Sequence, residues 1–235
     1  YAAGKIKGSR WVKREGRATE EAILTGRVID RSLRPMFPSG MRNDVQVVAT
    51  VLSIDGENDP DMLAVNAASA ALHISDIPFD GPIAACRVGK VDGQYVINPT
   101  NEQRENSVMD LIVSGTAEHI IMVEAGANLV SEQEIIAGIE FAQPFLGQLV
   151  EMQNDLRGKA GLAKVEPVIH QVHEDILNQV KQWLTAEKIE AAVFVPDMFQ
   201  RDKKTAALFV EASTFVVSAL GDNVPAGIKV EAETA

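Results

Sequence analysis

From Thr19 onward the apolar residues fall at helical spacing, and the run stops at Pro35, whose ring disfavours helix in the residue before it. Thr19 is a suitable N-cap, and Glu20 and Glu21 suit the positive end of a helix dipole. The stretch DVQVVATVLSI, residues 44–54, is rich in β-branched side chains and predicts a buried strand. Residues 59–75, DPDMLAVNAASAALHIS, predict a helix of small residues able to lie close against a sheet. Two short strands follow within residues 81–100, joined at Asp92-Gly93, a pair that tolerates the positive φ angles of a tight hairpin. Residues 108–126 read as two more strands, and Ser131 with Glu134 forms a capping-box pattern that opens a long helix towards Gly158.

After the sequence GKAGL the strand patterns vanish. From Glu166 to about Leu220 the apolar residues keep helical intervals, as in VIHQVHEDILNQVKQWL, and Pro196, Gly221 and Pro225 punctuate the rest. The expected organisation is therefore an α+β domain over residues 1–161 followed by an all-helical module over residues 162–235. No stretch approaches 18 consecutive apolar residues, so no membrane-spanning helix is expected.

Charge changes this picture at one end. The chain of 235 residues has a formal net charge of -11, yet its first 42 residues carry ten Lys or Arg against four acids. A polyanion responds to local potential rather than to the sum, so the asymmetry outweighs the total. One cysteine, Cys86, excludes an intrachain disulfide and fits a reducing cytoplasm.

Two basic features are candidates for binding. The loop KGSRWVKREGR, residues 7–17, combines glycines, Trp11 and five cations, Lys13 and Arg14 among them; it has the composition of a loop that stacks a base and neutralises phosphates, and equally that of a solvated surface loop. On the first helix Arg27, Arg31 and Arg34 stand at i, i+4 and i+7 and share one face about 10 Å long, unless Asp30 claims Arg34. The acids Asp55, Glu57, Asp59 and Asp61 alternate as in a cation-binding loop, but Pro60 interrupts them and no glutamate stands at the twelfth position, so a solvated turn is the preferred reading. Asp110, alone among apolar neighbours, is a candidate buried functional acid or an edge-strand residue. His73, His119, His170 and His173 show no metal-ligand spacing, and Cys86 reads as core.

Taken in order, the runs YAAGKI, KREGR, ILTGRVIDRSLRPMFP, VQVVATVLS, NDPDMLAVNAASAALHISDIPFDGPIAACRVG, YVINPT and MDLIVSGT resemble the first core domain of the bacterial polynucleotide phosphorylase family. The likeness covers about residues 1–160, and the remainder resembles, more weakly, the family's all-helical domain. It implies a ribonuclease PH-like fold (ribosomal protein S5 domain 2-like), N-terminally incomplete because several strands normally precede YAAGKI. It further implies a homotrimer, a cytoplasmic setting, membership of an RNA degradation complex, and phosphorolysis of RNA from the 3′ end to nucleoside diphosphates.

The resemblance assigns Trp11, Lys13 and Arg14 to a pore loop that grips single-stranded RNA, and Arg27, Arg31 and Arg34 to a helix behind it. The loop begins KGSRW where the family has a proline-glycine-glycine-aromatic pattern, and Ser32 replaces a usual proline. In the family's second core a serine-rich turn binds the attacking phosphate and two aspartates hold the metal. Here DGENDPD replaces the serines, Arg104 stands where the first aspartate would be, and only Asp110 matches. The resemblance thus places Mg²⁺ and the inorganic phosphate co-substrate outside this segment, with no catalytic residue inside it. The alternative is a non-catalytic RNA-binding or assembly module of the same fold.

Overall fold

In the computed structural model, which describes residues 19–171 and 173–220, helices flank a four-stranded sheet and three further helices follow. Helix α1 (Glu20–Leu33) leads into a single 3-10 turn (Arg34–Met36) and then helix α2 (Asp61–Ile74). Strands β1 (Ala84–Val91) and β2 (Gln94–Ile97), a short helix α3 (Asn101–Glu105), and strands β3 (Met109–Gly115) and β4 (Ile120–Ala127) come next. Helix α4 (Glu132–Ala160) closes this part, and α5 (Glu174–Trp183), α6 (Ala186–Val193) and α7 (Met198–Leu220) form the helical remainder.

The sheet is antiparallel throughout, in the order β2-β1-β3-β4. Asp92 and Gly93 both take positive φ, +49° and +79°, as the β1–β2 hairpin requires. The two-residue period of the strands sorts their side chains between two cores. Ala85, Ile112 and Met122 face α1 and α2, joining Val28, Ile29, Leu33, Val65 and Leu72. Cys86, Val88, Met109, Leu111 and Val113 face α4, against Ala142, Leu146 and Val150. Gly138 continues that α4 stripe one turn earlier, where an added Cβ would stand 3.0 Å from Leu111 and 3.1 Å from Met109. Burial on both faces explains why β1 and β3 are mostly apolar rather than alternating, with Arg87 and Asp110 as charged interruptions.

Strand β2 pairs only with residues 88–91 of β1, so the earlier amides of β1 lack a ladder partner on that side. Side chains replace it. The amides of Ile83, Ala85 and Arg87 donate to Ser69 Oγ, Asn66 Oδ1 and Asn98 Oδ1 at 3.0, 2.9 and 2.9 Å, which satisfies backbone that would otherwise be buried unpaired. Polar residues of α2 thus dock it on the sheet.

One expected element is absent. Residues 44–54 form no strand, and Val48 and Leu52 are 75% and 87% exposed. A strand exists only through a ladder, and no described strand pairs with this stretch, so its β-branched composition finds no sheet to join. The described residues up to Ile169 form one compact unit and those from His170 onward a second. Residues 162–169 stay with the first: the amides of Leu162 and Val165 donate to Ile74 and Asp76 carbonyls, each at 2.8 Å, and Lys164 Nζ donates to the carbonyls of Leu72 and Ser75. No described helix is long and apolar enough to cross a membrane.

Candidate nucleic-acid interface

Thr19 caps α1 by accepting the Ala22 amide on Oγ1 at 3.2 Å, with Glu20 and Glu21 in the first turn. The inward face buries Val28, Ile29, Ser32 and Leu33. Ser32, where the resembled family has proline, shares a buried hydrogen bond with Ser114 of β3 at 2.8 Å, a contact that gave no sign in the sequence. With that face committed, Arg27, Arg31 and Arg34 are all exposed, as their spacing predicts.

Their surroundings differ. Arg31 Nη1 donates to Glu124 Oε2 at 2.8 Å, with both side chains about half exposed. Glu124 lies on β4 two residues after Met122, so the same period that buries Met122 against α1 directs Glu124 towards it. Arg34 Nη2 reaches both carboxylate oxygens of Asp30, at 2.8 and 2.6 Å, and that hydrogen bond raises the guanidinium above its ordinary value. Arg27 makes no ion pair with any described residue. Counting Glu20, Glu21 and Asp30 against the three arginines, the helix and its first following residue carry no net charge. Beside α1 an open cavity of about 630 Å³ is rimmed by Asp30, Arg34 and Asn43. Trp11, Lys13 and Arg14 lie outside the described residues.

The acidic candidates are occupied by the chain's own groups. Asp55 accepts the amides of Asn58 and Glu57 and the Asn58 side chain in a turn that needs Gly56 at φ +84°, and these donors hold its carboxyl down at about 2. Asp59 and Asp61, expected in a solvated turn, instead join a cluster with Asp110. Asp61 is 6% exposed and pairs with Arg87 Nη2, while Asp110 bridges Arg87 Nη1 and Arg104 Nη2, the latter at 3.1 Å. Arg104 Nη1 also donates to Asp59 at 3.1 Å. Burial lowers the Arg87 guanidinium, and the carboxylates of Asp61 and Asp110 outweigh it, leaving the group above its ordinary value. Arg87 is the residue the sequence reading missed. Its signal was a lone cation between Cys86 and Val88 in an apolar run, the mirror of the signal that singled out Asp110.

Three carboxylates already bonded to two guanidinium groups do not suit a divalent cation, and no described group of three His, Cys, Asp or Glu side chains could hold one. Cys86 is fully buried, which pushes its thiol up to about 12. His73 is buried between α2 and α4 with Nε2 bonded to Asn154 at 2.9 Å.

Residues 1–78 match the 3′ exoribonuclease family, domain 1, and residues 81–143 match the 3′ exoribonuclease family, domain 2. The chain is 46% identical over 204 residues to the polyribonucleotide nucleotidyltransferase of Halothermothrix orenii, covering 87% of this chain and 29% of that protein. It is 47% identical over 208 residues to that of Thermomicrobium roseum, covering 88% and 26%. The chain therefore spans less than a third of the length of these relatives. Among solved structures, rice (Oryza sativa) Rrp46 superposes with a TM-score of 0.50 at 13% identity, over 61% of this chain and 69% of that one, a likeness of fold. The two family matches are successive, of one kind, and together take in the first helix, the sheet and the start of α4: the chain belongs to the 3′ exoribonuclease family, with a ribonuclease PH-like α+β core followed by helices.

Proposed function

We propose that this chain is the RNA-guiding part of a polyribonucleotide nucleotidyltransferase, a phosphorolytic 3′–5′ exoribonuclease, and that bond breaking takes place outside it. The observation that carries the reading is the identity of 46–47% to such enzymes along nearly nine-tenths of the chain. In phosphorolysis an oxygen of inorganic phosphate attacks the phosphorus of the 3′-terminal phosphodiester. The bond from that phosphorus to the preceding O3′ breaks, and the products are a nucleoside diphosphate and an RNA shortened by one residue with a free 3′ hydroxyl.

The chain's own residues support a guiding role. The Asp59–Asp61–Asp110 cluster has its carboxylates bonded to Arg87 and Arg104 and keeps an excess of one negative charge, so it offers neither a free ligand set for a cation nor a place for an attacking phosphate. Mg²⁺ and phosphate are accordingly assigned outside this chain. Arg27, exposed on the outward face of α1, offers a cation to a strand, and Trp11, Lys13 and Arg14 have the composition to stack a base and neutralise its phosphates. A homotrimer, a cytoplasmic setting and an RNA degradation complex belong to the same proposal.

The test compares the 235-residue chain with the full-length protein on poly(A), inorganic phosphate and Mg²⁺. The full-length protein is expected to release nucleoside diphosphates only when phosphate is present, and the chain alone to release none. Release by a pure preparation of the chain overturns the assignment of bond breaking elsewhere; phosphate-independent release of monophosphates by the full-length protein overturns phosphorolysis.

A further inference from the structure

The three arginines of the outward face are equivalent by spacing and unequal by surroundings. Arg27 is exposed without an ion pair to any described residue, whereas Arg31 already donates to Glu124 at 2.8 Å. That pair joins α1 to β4 across 93 residues of sequence, with side chains 51% and 46% exposed. Exposed pairs of this kind add little to stability, so a purely structural role leaves the placement unexplained. Its electrostatic effect is larger. A carboxylate at hydrogen-bond distance cancels most of the potential that a phosphate approaching Arg31 would feel, and a phosphate that engages the guanidinium must either displace Glu124 or sit beside a like charge.

We infer that Glu124 is a built-in competitor for RNA phosphate at Arg31: the β4 carboxylate holds the guanidinium while no strand is bound and is displaced when one arrives. The inference rests on the reading of α1 as RNA-facing. Its consequence lies in the salt dependence of binding. Each phosphate neutralised by a free cation releases counterions and contributes about 0.7 to the slope of log affinity against log salt for a single strand. An arginine compensated in advance by a carboxylate contributes no net release, because the displaced carboxylate regains its own counterion. Arg27 therefore counts fully towards the slope and Arg31 does not. Removing the charge of Glu124 makes Arg31 count as well.

The experiment measures binding of a fluorescent oligo(A) to the full-length protein by anisotropy, from about 50 to 200 mM salt. It compares the native protein with Glu124→Gln, Arg31→Ala, the double variant and Arg27→Ala, with thermal unfolding as a check that each is folded. Glu124→Gln is expected to tighten binding about two- to fivefold, the range an exposed ion pair commands, and to steepen the slope by about 0.7. Both gains should vanish in the Arg31→Ala background. Arg27→Ala should weaken binding and flatten the slope by about 0.7. If Arg27→Ala weakens binding while Glu124→Gln changes nothing, or weakens it too, the competitor is overturned and the RNA-facing helix stands. If the Glu124→Gln gain persists without Arg31, Glu124 acts as a diffuse negative charge and the inference falls. If neither Arg27→Ala nor Glu124→Gln has an effect, the RNA-facing helix falls with it.

Discussion

Arg87 and Cys86 are neighbours in β1, and both are buried, yet they meet opposite environments because successive strand residues point to opposite faces. The thiol enters the apolar contact with α4, while the guanidinium enters the other face beside Asp61 and Asp110. Breaking such a pair leaves a charge with no partner and little water. Arg87→Ala should lower the unfolding free energy in urea by about 3–5 kcal/mol, since it strands the carboxylate of Asp61. Asp110→Asn should cost much less, roughly 1 kcal/mol or below, because the Asp110 side chain is 40% exposed and solvent already screens it. Equal losses from the two variants would refute the division of the cluster into a buried pair and a wetter bridge. Asp110 was legible as an anomaly because an acid among apolar neighbours demands a partner. Its partners were not legible, since the strand period reveals which face a side chain takes and nothing about what stands opposite.

Helices were the most legible elements. The caps at Thr19 and Ser131 and the apolar intervals behind them are written within a few residues, and both helices form where those signals stand. The short helix α3 escaped notice although Thr100 and Gln103 make a reciprocal capping box, a signal overshadowed by the strands around it. Residues 44–54 are the opposite case, a strand by composition that takes no ladder among the described residues. Contacts between helices add a pH dependence. Burial at the α2–α4 contact lowers the His73 imidazole below its ordinary value of 6.5, with Arg157 and Lys164 acting in the same direction and Asn154 against it. The unfolded chain then binds the proton more readily than the folded one. Stability is fully present above about pH 6.5 and is lost as pH falls towards the depressed folded value. Asp55 and Glu134 are held at about 2, by the Asn58 amide first in one case and by Lys90 in the other, so the stability they add fades only in stronger acid. The thermal midpoint should therefore drop as pH falls below about 6.5, and His73→Asn should flatten that drop; an unchanged slope would show that His73 does not carry it.

For the molecule as a whole, the asymmetry of charge along the chain translates into a prediction about full-length binding. Lys13→Ala with Arg14→Ala should weaken oligo(A) binding and flatten its salt slope by about 0.7 for each phosphate no longer neutralised; an unchanged slope would remove the basic loop from the RNA path. The amino-acid order alone was enough for the α+β class, the caps of α1 and α4, the hairpin at Asp92-Gly93 and the likeness to the 3′ exoribonuclease family, which the comparisons established. These are local matters, because helix hydrogen bonds close over four residues and tight turns over two. Tertiary structure alone decided that Glu124 meets Arg31 across 93 residues, that Asp61 and Asp110 share Arg87, and that Ser32 bonds to Ser114. Spacing along a helix can place three arginines on one face, but whether each faces solvent or a carboxylate depends on which strand packs beside it, and that is set by burial of the sheet's two apolar faces rather than by the helix itself.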